Sequence, residues 1–190
     1  MQAQNTPETA PSLNDLVVSL AHVDVRSCYQ CGKCTAGCPL SQEMDIKPNQ
    51  ILRLLQAGRA GYEKEILSSQ TIWLCLACDT CSSRCPQEIP LSAVMDALRQ
   101  ESLRQKLVHP KAKHILQFHE AFLNEIRRDG KLNELELTLD YKMKSMALFQ
   151  DVQNAPSMFL KGKIALLRKR VKNRQSIQRI FRQFRFKIGR

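Results

Sequence analysis

Chemistry in this chain is concentrated in its cysteines. All eight fall into two blocks, CYQCGKCTAGCP from Cys28 to Pro39 and CLACDTCSSRCP from Cys75 to Pro86. In each block two residues separate successive members of the first three cysteines, three residues precede the fourth, and proline follows it. The second block repeats the first at an offset of 47 residues, and nothing else in the chain repeats. Thiols at such short intervals point to disulfides in an exported chain and to metal or redox chemistry in one that stays inside.

The spacing fits iron–sulfur cubanes. Each iron of a [4Fe–4S] cluster needs one thiolate, and a tight turn with cysteines three positions apart presents three sulfurs to three corners. The fourth cysteine lies too far along to close the same cube. It ligates the neighbouring cluster instead, and the proline after it turns the chain away. On this reading Cys28, Cys31, Cys34 and Cys85 hold one cluster, while Cys75, Cys78, Cys81 and Cys38 hold the other. Two [4Fe–4S] clusters are therefore the expected cofactors, and crossed ligation makes them staples as well as redox centres. Zinc sites favour paired CxxC units across a longer loop, and would use neither the fourth cysteine nor the proline. Disulfides fit poorly with a start, MQAQNTPETAPSLND, that has neither the basic flank nor the apolar core of a signal peptide, so cytoplasmic residence is expected. His22, His109, His114 and His119 lie outside both blocks and read as helix-surface or packing residues.

The elements that must position these thiols read as helices. Ser12 can cap a helix bearing Leu13, Leu16, Val17 and Leu20. Between the blocks, Pro48 opens a helix with Ile51, Leu54 and Leu55 on one face and Gly58 as its stop, and a short helix follows over about residues 62–68. Pro90 opens another with Leu91, Val94, Met95, Leu98 and Leu103 on one stripe. Pro110 starts a helix with Ile115, Phe118, Phe122 and Ile126, broken at Asp129-Gly130; Leu132, Leu135, Leu139, Met143 and Met146 mark the next. The methionines read as ordinary packing residues. Near the blocks, Ile46, Ile72, Trp73, Leu74 and Ile89 exclude water, with Trp73 as a packing lid, and Gly32 and Gly37 let backbone amides approach the sulfurs. The fold class expected is all-α: a helical ferredoxin-type dicluster domain with flanking helices and a basic amphipathic C-terminal extension.

Charge divides the chain. It holds 29 Lys and Arg against 18 Asp and Glu, a formal net charge of +11, but twelve of the basic residues and none of the acidic ones lie in residues 161–190. The rest is close to neutral, and cluster thiolates make it acidic. In the basic arm Ile164, Leu167, Val171, Ile177, Ile180, Phe181, Phe184 and Ile188 recur at helical spacing, with a break near Arg174. Docking to an acidic, apolar groove on a partner subunit ranks ahead of anionic lipid or a solvated tail, and nucleic acid ranks last. At 43% hydrophobic residues the chain is not disordered, and its longest apolar runs are too short to span a bilayer. The segments expected are residues 1–26 (N-terminal helix), 27–107 (dicluster domain), 108–150 (helical pair) and 151–190 (partner-docking extension).

The run CYQCGKCTAGCP with IKPNQILRLLQAG, then IWLCLACDTCSSRCPQEIP and RRDGKLNELELTLDYKMK, resembles the C subunit of heterodisulfide reductase and its bacterial relatives, over about residues 10–150. The resemblance implies a helical iron–sulfur subunit that passes single electrons between a flavin- and cluster-bearing A subunit and a cysteine-rich, catalytic B subunit. The residues agree. Both cubanes together use every cysteine, leaving no thiol to attack a disulfide, and no nucleotide fingerprint or nucleophile–base set is present, so no catalytic residue is expected. A cluster subunit of a dehydrogenase resembling fumarate reductase or glycolate oxidase is the rival of the same chemistry. A cluster-bearing nucleic-acid-binding protein is the rival of another class. A heterodisulfide, a sulfane-sulfur compound or another low-potential couple would all be served by the same wire.

Overall fold

The computed structural model describes residues 12–145, 171 and 173–183, and among these it is helical with no strand. The chain divides into two compact units between Pro110 and Lys111.

The first unit holds both cysteine blocks. It comprises α1 (Leu13–Ala21), a 3-10 turn (Val25–Ser27), α2 (Lys33–Ala36), α3 (Pro48–Ala57), α4 (Ala60–Leu67), α5 (Thr71–Leu74), α6 (Thr80–Ser83) and α7 (Leu91–Arg104). Its helix ends form where the sequence places them. Ser12 and Asp15 make a reciprocal capping box at the start of α1. Pro48 occupies the first turn of α3, and Gly58 ends it in the left-handed conformation at φ 58°. The central element is α7, which packs against α1, α4, α5 and α6. Val17, Ile51, Ile66, Ile72, Val94 and Leu98 are fully buried between these helices. Each contributes about 1.5–3 kcal/mol by leaving water.

Two stripes are corrected by one position. On α3 the buried face is Pro48, Ile51, Leu52 and Leu55, with Leu54 half-exposed; on α7 it continues through Glu101 and Ser102 rather than Leu103. Three and four residues beyond Leu98 lie 101 and 102, so helical geometry outranks the apolar character of Leu103. The polar groups on that face are satisfied: Ser102 Oγ donates to the Leu67 carbonyl at 2.7 Å, and Glu101 pairs with Arg104 and accepts from Gln105.

One bracket joins the loop leaving the first block to the helix entering the second. Asp45 accepts from the amides of Gln70 at 2.8 Å and Thr71 at 2.9 Å, capping α5. The Thr71 hydroxyl is fully buried, lies 2.6 Å from both Asp45 Oδ1 and the Ile46 carbonyl, and accepts from the Ile46 amide at 3.0 Å. Burial works to raise the Asp45 pKa, but these hydrogen bonds outweigh it and hold the carboxyl below the ordinary 3.8.

The second unit contains α8 (Lys113–Asp129), α9 (Glu134–Ser145) and a C-terminal helix (Arg174–Gln183). Its buried face departs from the apolar stripe. Ala121, Glu125 and Asp129 are buried on α8, whereas Phe118 and Phe122 stay 42% and 36% exposed; on α9 Leu137 is buried while Leu139 and Met143 project outward. The Phe118 ring meets Tyr141 edge-on at 5.7 Å. A charge knot sets this rotation. The Arg128 guanidinium bonds to Glu125 and Glu136 and reaches Asp129 at 3.2 Å, tying α8 to α9. Burial is the main influence raising the pKa of Glu125. Met146, Ile164, Leu167, Phe184 and Ile188 lie outside the described residues. Within this unit the amide of Val171 donates to the Asp129 carbonyl at 3.1 Å, and Ile177 covers Gly130, which ends α8 at φ 73°. The C-terminal helix begins at Arg174, where the periodicity breaks.

Replacing Asp45 with Ala should cost about 1–2 kcal/mol, the value of a lost helix cap. A carboxylate with a lowered pKa stabilises fully above its unfolded value and loses its effect only as pH falls through the folded one. The deficit, measured by chemical denaturation of the cluster-loaded chain, should therefore be equal at about pH 6 and pH 8. Arg128→Ala should cost about 3 kcal/mol, the lower end for stripping one partner from a buried pair because Arg128 is itself 51% exposed. Thermal unfolding checks it.

Candidate metal centre

The repeat in sequence is a repeat in backbone. Gln30 and Gly32 have φ of 63° and 74°; their counterparts 47 residues on, Ala77 and Asp79, have φ of 49° and 56°. Two left-handed steps per block curl the chain so that three thiols converge, and each block then enters a one-turn helix, α2 or α6. Only glycine adopts this conformation freely; for other residues it costs roughly 1–2 kcal/mol. Asp79 offsets part of that cost by accepting from the hydroxyls of Ser82 and Ser92. α2 and α6 pack on each other, bringing the blocks face to face. Gly37 permits the closest approach: a Cβ there would lie 2.8 Å from the Arg84 side chain, and Arg84 is its counterpart in the repeat.

Two cavities of similar size lie at this junction. One, of about 440 Å³, is walled by Cys38, Cys75, Cys78 and Cys81, together with Met44, Leu76, Leu91 and Met95. The other, of about 340 Å³, is walled by Cys28, Cys31, Cys34 and Cys85, with Leu52, Ile89 and Leu91. Cys81 reaches the wall of both. Each cavity thus gathers thiols from both blocks: Cys38 joins three of the second block at one, and Cys81 and Cys85 join three of the first at the other. No disulfide joins the eight cysteines in this structure.

The donor spacing also separates cubanes from single ions. Four sulfurs at about 2.3 Å from one zinc would stand about 3.8 Å apart. No three cysteine sulfurs lie within 4.8 Å of one another; the one trio of ligand atoms that does so among the described residues is Glu125, Asp129 and Glu136, which encloses Arg128. A cube that spreads its thiolates over four irons suits the wider spacing. Burial pushes the thiols of Cys34, Cys75 and Cys81 up, so they are neutral without iron and lose protons as it binds. A hydrogen bond with Thr80 pulls exposed Cys78 down.

The first cysteine of each block is held from behind by a different device. At Cys28, Gln56 of α3 donates to the carbonyl at 2.6 Å and to that of Val25 at 3.2 Å, while Gln30 donates to the Cys28 sulfur at 3.4 Å and to Gln56 at 3.3 Å. At Cys75, Arg99 of α7 donates to the carbonyls of Cys75 and Ile72 and pairs with Asp96 at 2.8 Å. Thr35, beside Cys34, donates to Asn49 Oδ1 at 2.6 Å and accepts from the Asn49 amide, joining α2 to α3. None of these long-range partners was anticipated from the sequence. Of the expected water barrier, Ile72, Trp73 and Ile89 are buried and Ile46 and Leu74 half-buried. Among the described residues the Trp73 indole nitrogen makes no hydrogen bond, as suits a packing lid. His22 caps α1 in the left-handed conformation, and no histidine lines either cavity.

Comparison with known proteins agrees with this site. Residues 24–89 match the family model of a 4Fe-4S dicluster domain. The chain is 33% identical over 99 residues to the C subunit of the ferredoxin:CoB-CoM heterodisulfide reductase of Methanosarcina mazei, covering 52% of this chain and 59% of that protein. It is 32% identical over 91 residues to the C subunit of the H(2):CoB-CoM heterodisulfide,ferredoxin reductase of Methanothermobacter marburgensis, 48% of each chain. With the iron-sulfur C 2 subunit of the CoB–CoM heterodisulfide reductase of Methanocaldococcus jannaschii it shares 32% over 101 residues, 51% of this chain and 52% of that one. The chain spans about half the length of the curated relatives it matches. Over that stretch, built around a dicluster domain whose eight cysteines indicate two [4Fe–4S] clusters, the chain is similar to the C subunits of heterodisulfide reductases.

Proposed function

We propose that this chain is the electron-transfer subunit of a heterodisulfide reductase-like complex, passing single electrons between a flavin- and cluster-bearing A subunit and a cysteine-rich, catalytic B subunit. The observation that carries the reading is the pair of cavities walled by thiols of both blocks, four in one and five in the other, with Cys81 in both walls. When bound, [4Fe–4S] clusters supply one-electron redox chemistry, with no bond made or broken in the protein. What the chain contributes is placement. Cys28, Cys31, Cys34 and Cys85 hold one cluster; Cys75, Cys78, Cys81 and Cys38 hold the other. Gln56 and Arg99 fix the carbonyls at the head of each block, limiting reorganisation when charge changes. Gln30 donates to the Cys28 sulfur, which favours the added electron, and buried Ile89 in the wall of the first-block cavity keeps water out, which opposes it. No helix among the described residues is long and apolar enough to cross a membrane.

The chain purified without oxygen should be brown, with iron and sulfide for two cubanes and electron paramagnetic resonance signals after reduction; a colourless, zinc-loaded protein would overturn the reading. Co-purification should recover a flavoprotein and a cysteine-rich protein, whereas a dehydrogenase flavoprotein alone would favour the fumarate reductase-like rival. The crossed ligand sets have their own test. Cys38→Ala should lose the resonance that Cys78→Ala loses and keep the one that Cys31→Ala loses. The opposite pairing would refute the crossing.

A further inference from the structure

The repeat makes each cavity open to solvent at the same point. Tyr29 and Leu76, which follow the first cysteine of each block, are 58% and 66% exposed. Cys31 and Cys78, again counterparts, are the two exposed cysteines of the chain. The openings differ in what surrounds them. Beside the first, an open groove reaching Cys28 is lined by Arg26, Tyr29, Gln30, Arg53 and Gln56, with no acid in its wall. Asp24 offsets Arg26 at 3.0 Å, which leaves Arg53 and the exposed Lys33, two positions past Cys31, as the charge of this mouth. At the second opening Leu76 and Ala77 are exposed, Asp79 is the charge, and Thr80 stands where Lys33 stands in the first. One mouth is cationic with an aromatic edge; the other is apolar with a carboxylate.

Resting on the electron-transfer reading above, we propose that the first-block mouth is the docking surface for an electron-carrier protein whose redox centre is ringed by carboxylates. Lys33 and Arg53 steer such a carrier to the exposed edge of the site, and charges at the rim act on encounter and on salt dependence. Tyr29 supplies a rigid, amphipathic contact at the centre, the kind of residue that dominates interfaces. In the transfer itself one electron passes between the carrier's centre and the first site, so one is oxidised as the other is reduced, with no proton or group exchanged.

The test is equilibrium binding, read apart from turnover. The cluster-loaded full chain is titrated calorimetrically with oxidised flavodoxin, a small acidic carrier, at low and moderate salt. Wild type should bind, and more weakly as salt rises. Lys33→Glu and Arg53→Glu should each weaken binding about threefold, and together about tenfold, with Tyr29→Ala also weaker. The same reversal on exposed Lys64 of α4 should change nothing, and every variant should keep the visible absorption of wild type. Undetectable binding by wild type, silent reversals at Lys33 and Arg53, or an equal loss from Lys64→Glu would each overturn the docking surface while leaving electron transfer standing. A wild-type chain without cluster absorption would strike the electron-transfer reading and take this inference with it.

Discussion

Thiols of both blocks meet at each cavity, and this exchange is the constraint to which the remainder of the first unit answers. Two segments 47 residues apart have to arrive face to face, in matching curvature, with their fourth cysteines reaching past one another. A chain that met the requirement by local turns alone would have no core, because the blocks themselves contain no fully buried side chain. The apolar work is done by α1, α3, α4, α5 and α7, and the blocks are laid against that framework.

The framework grips the blocks at their entrances. The bracket of Asp45 and Thr71 ties the exit of one to the approach of the other, so the intervening helices α3 and α4 form a closed loop rather than a tether. Behind the first cysteines the two halves use unlike side chains to the same end, a neutral amide from α3 at Cys28 and a guanidinium from α7 at Cys75. A positive charge beside one site and a dipole beside the other give the two sites different electrostatic surroundings, although their ligands and backbone repeat.

Sequence patterns made the dicluster cofactors, the all-α class and most helix ends legible, because each depends on short-range signals: cysteine spacing, Ser12 as a cap, Pro48 at a first turn, Gly58 and Gly130 in the left-handed conformation. What escaped lies in partners far apart in sequence. Gln56, Arg99, Asp45 and Thr71 act across 24–28 residues, and nothing in their neighbours marks them. The second unit was least legible. Hydrophobic periodicity aims the phenylalanines of α8 inward, yet Glu125 and Asp129 take the interior because Arg128 can serve them there and Glu136 of α9 joins the knot. Periodicity weighs water aversion and is blind to a charge whose partner sits on another helix. The C-terminal helix is likewise seated on its own unit through Ile177 and Gly130, a contact that amphipathicity alone does not assign.

Interlocked walls also bear on how the protein responds to damage. On the proposed ligand sets, filling one cavity would draw in a thiol from the opposite block and help to arrange the other. Cys81, in both walls, couples them further. Losing one centre, on the same sets, frees a thiol of the block that holds the other, so the surviving centre keeps its ligands while its block loses an anchor. Damage at one centre would therefore interrupt the wire without emptying it, and repair would have to rebuild one corner of a joint whose other half still stands.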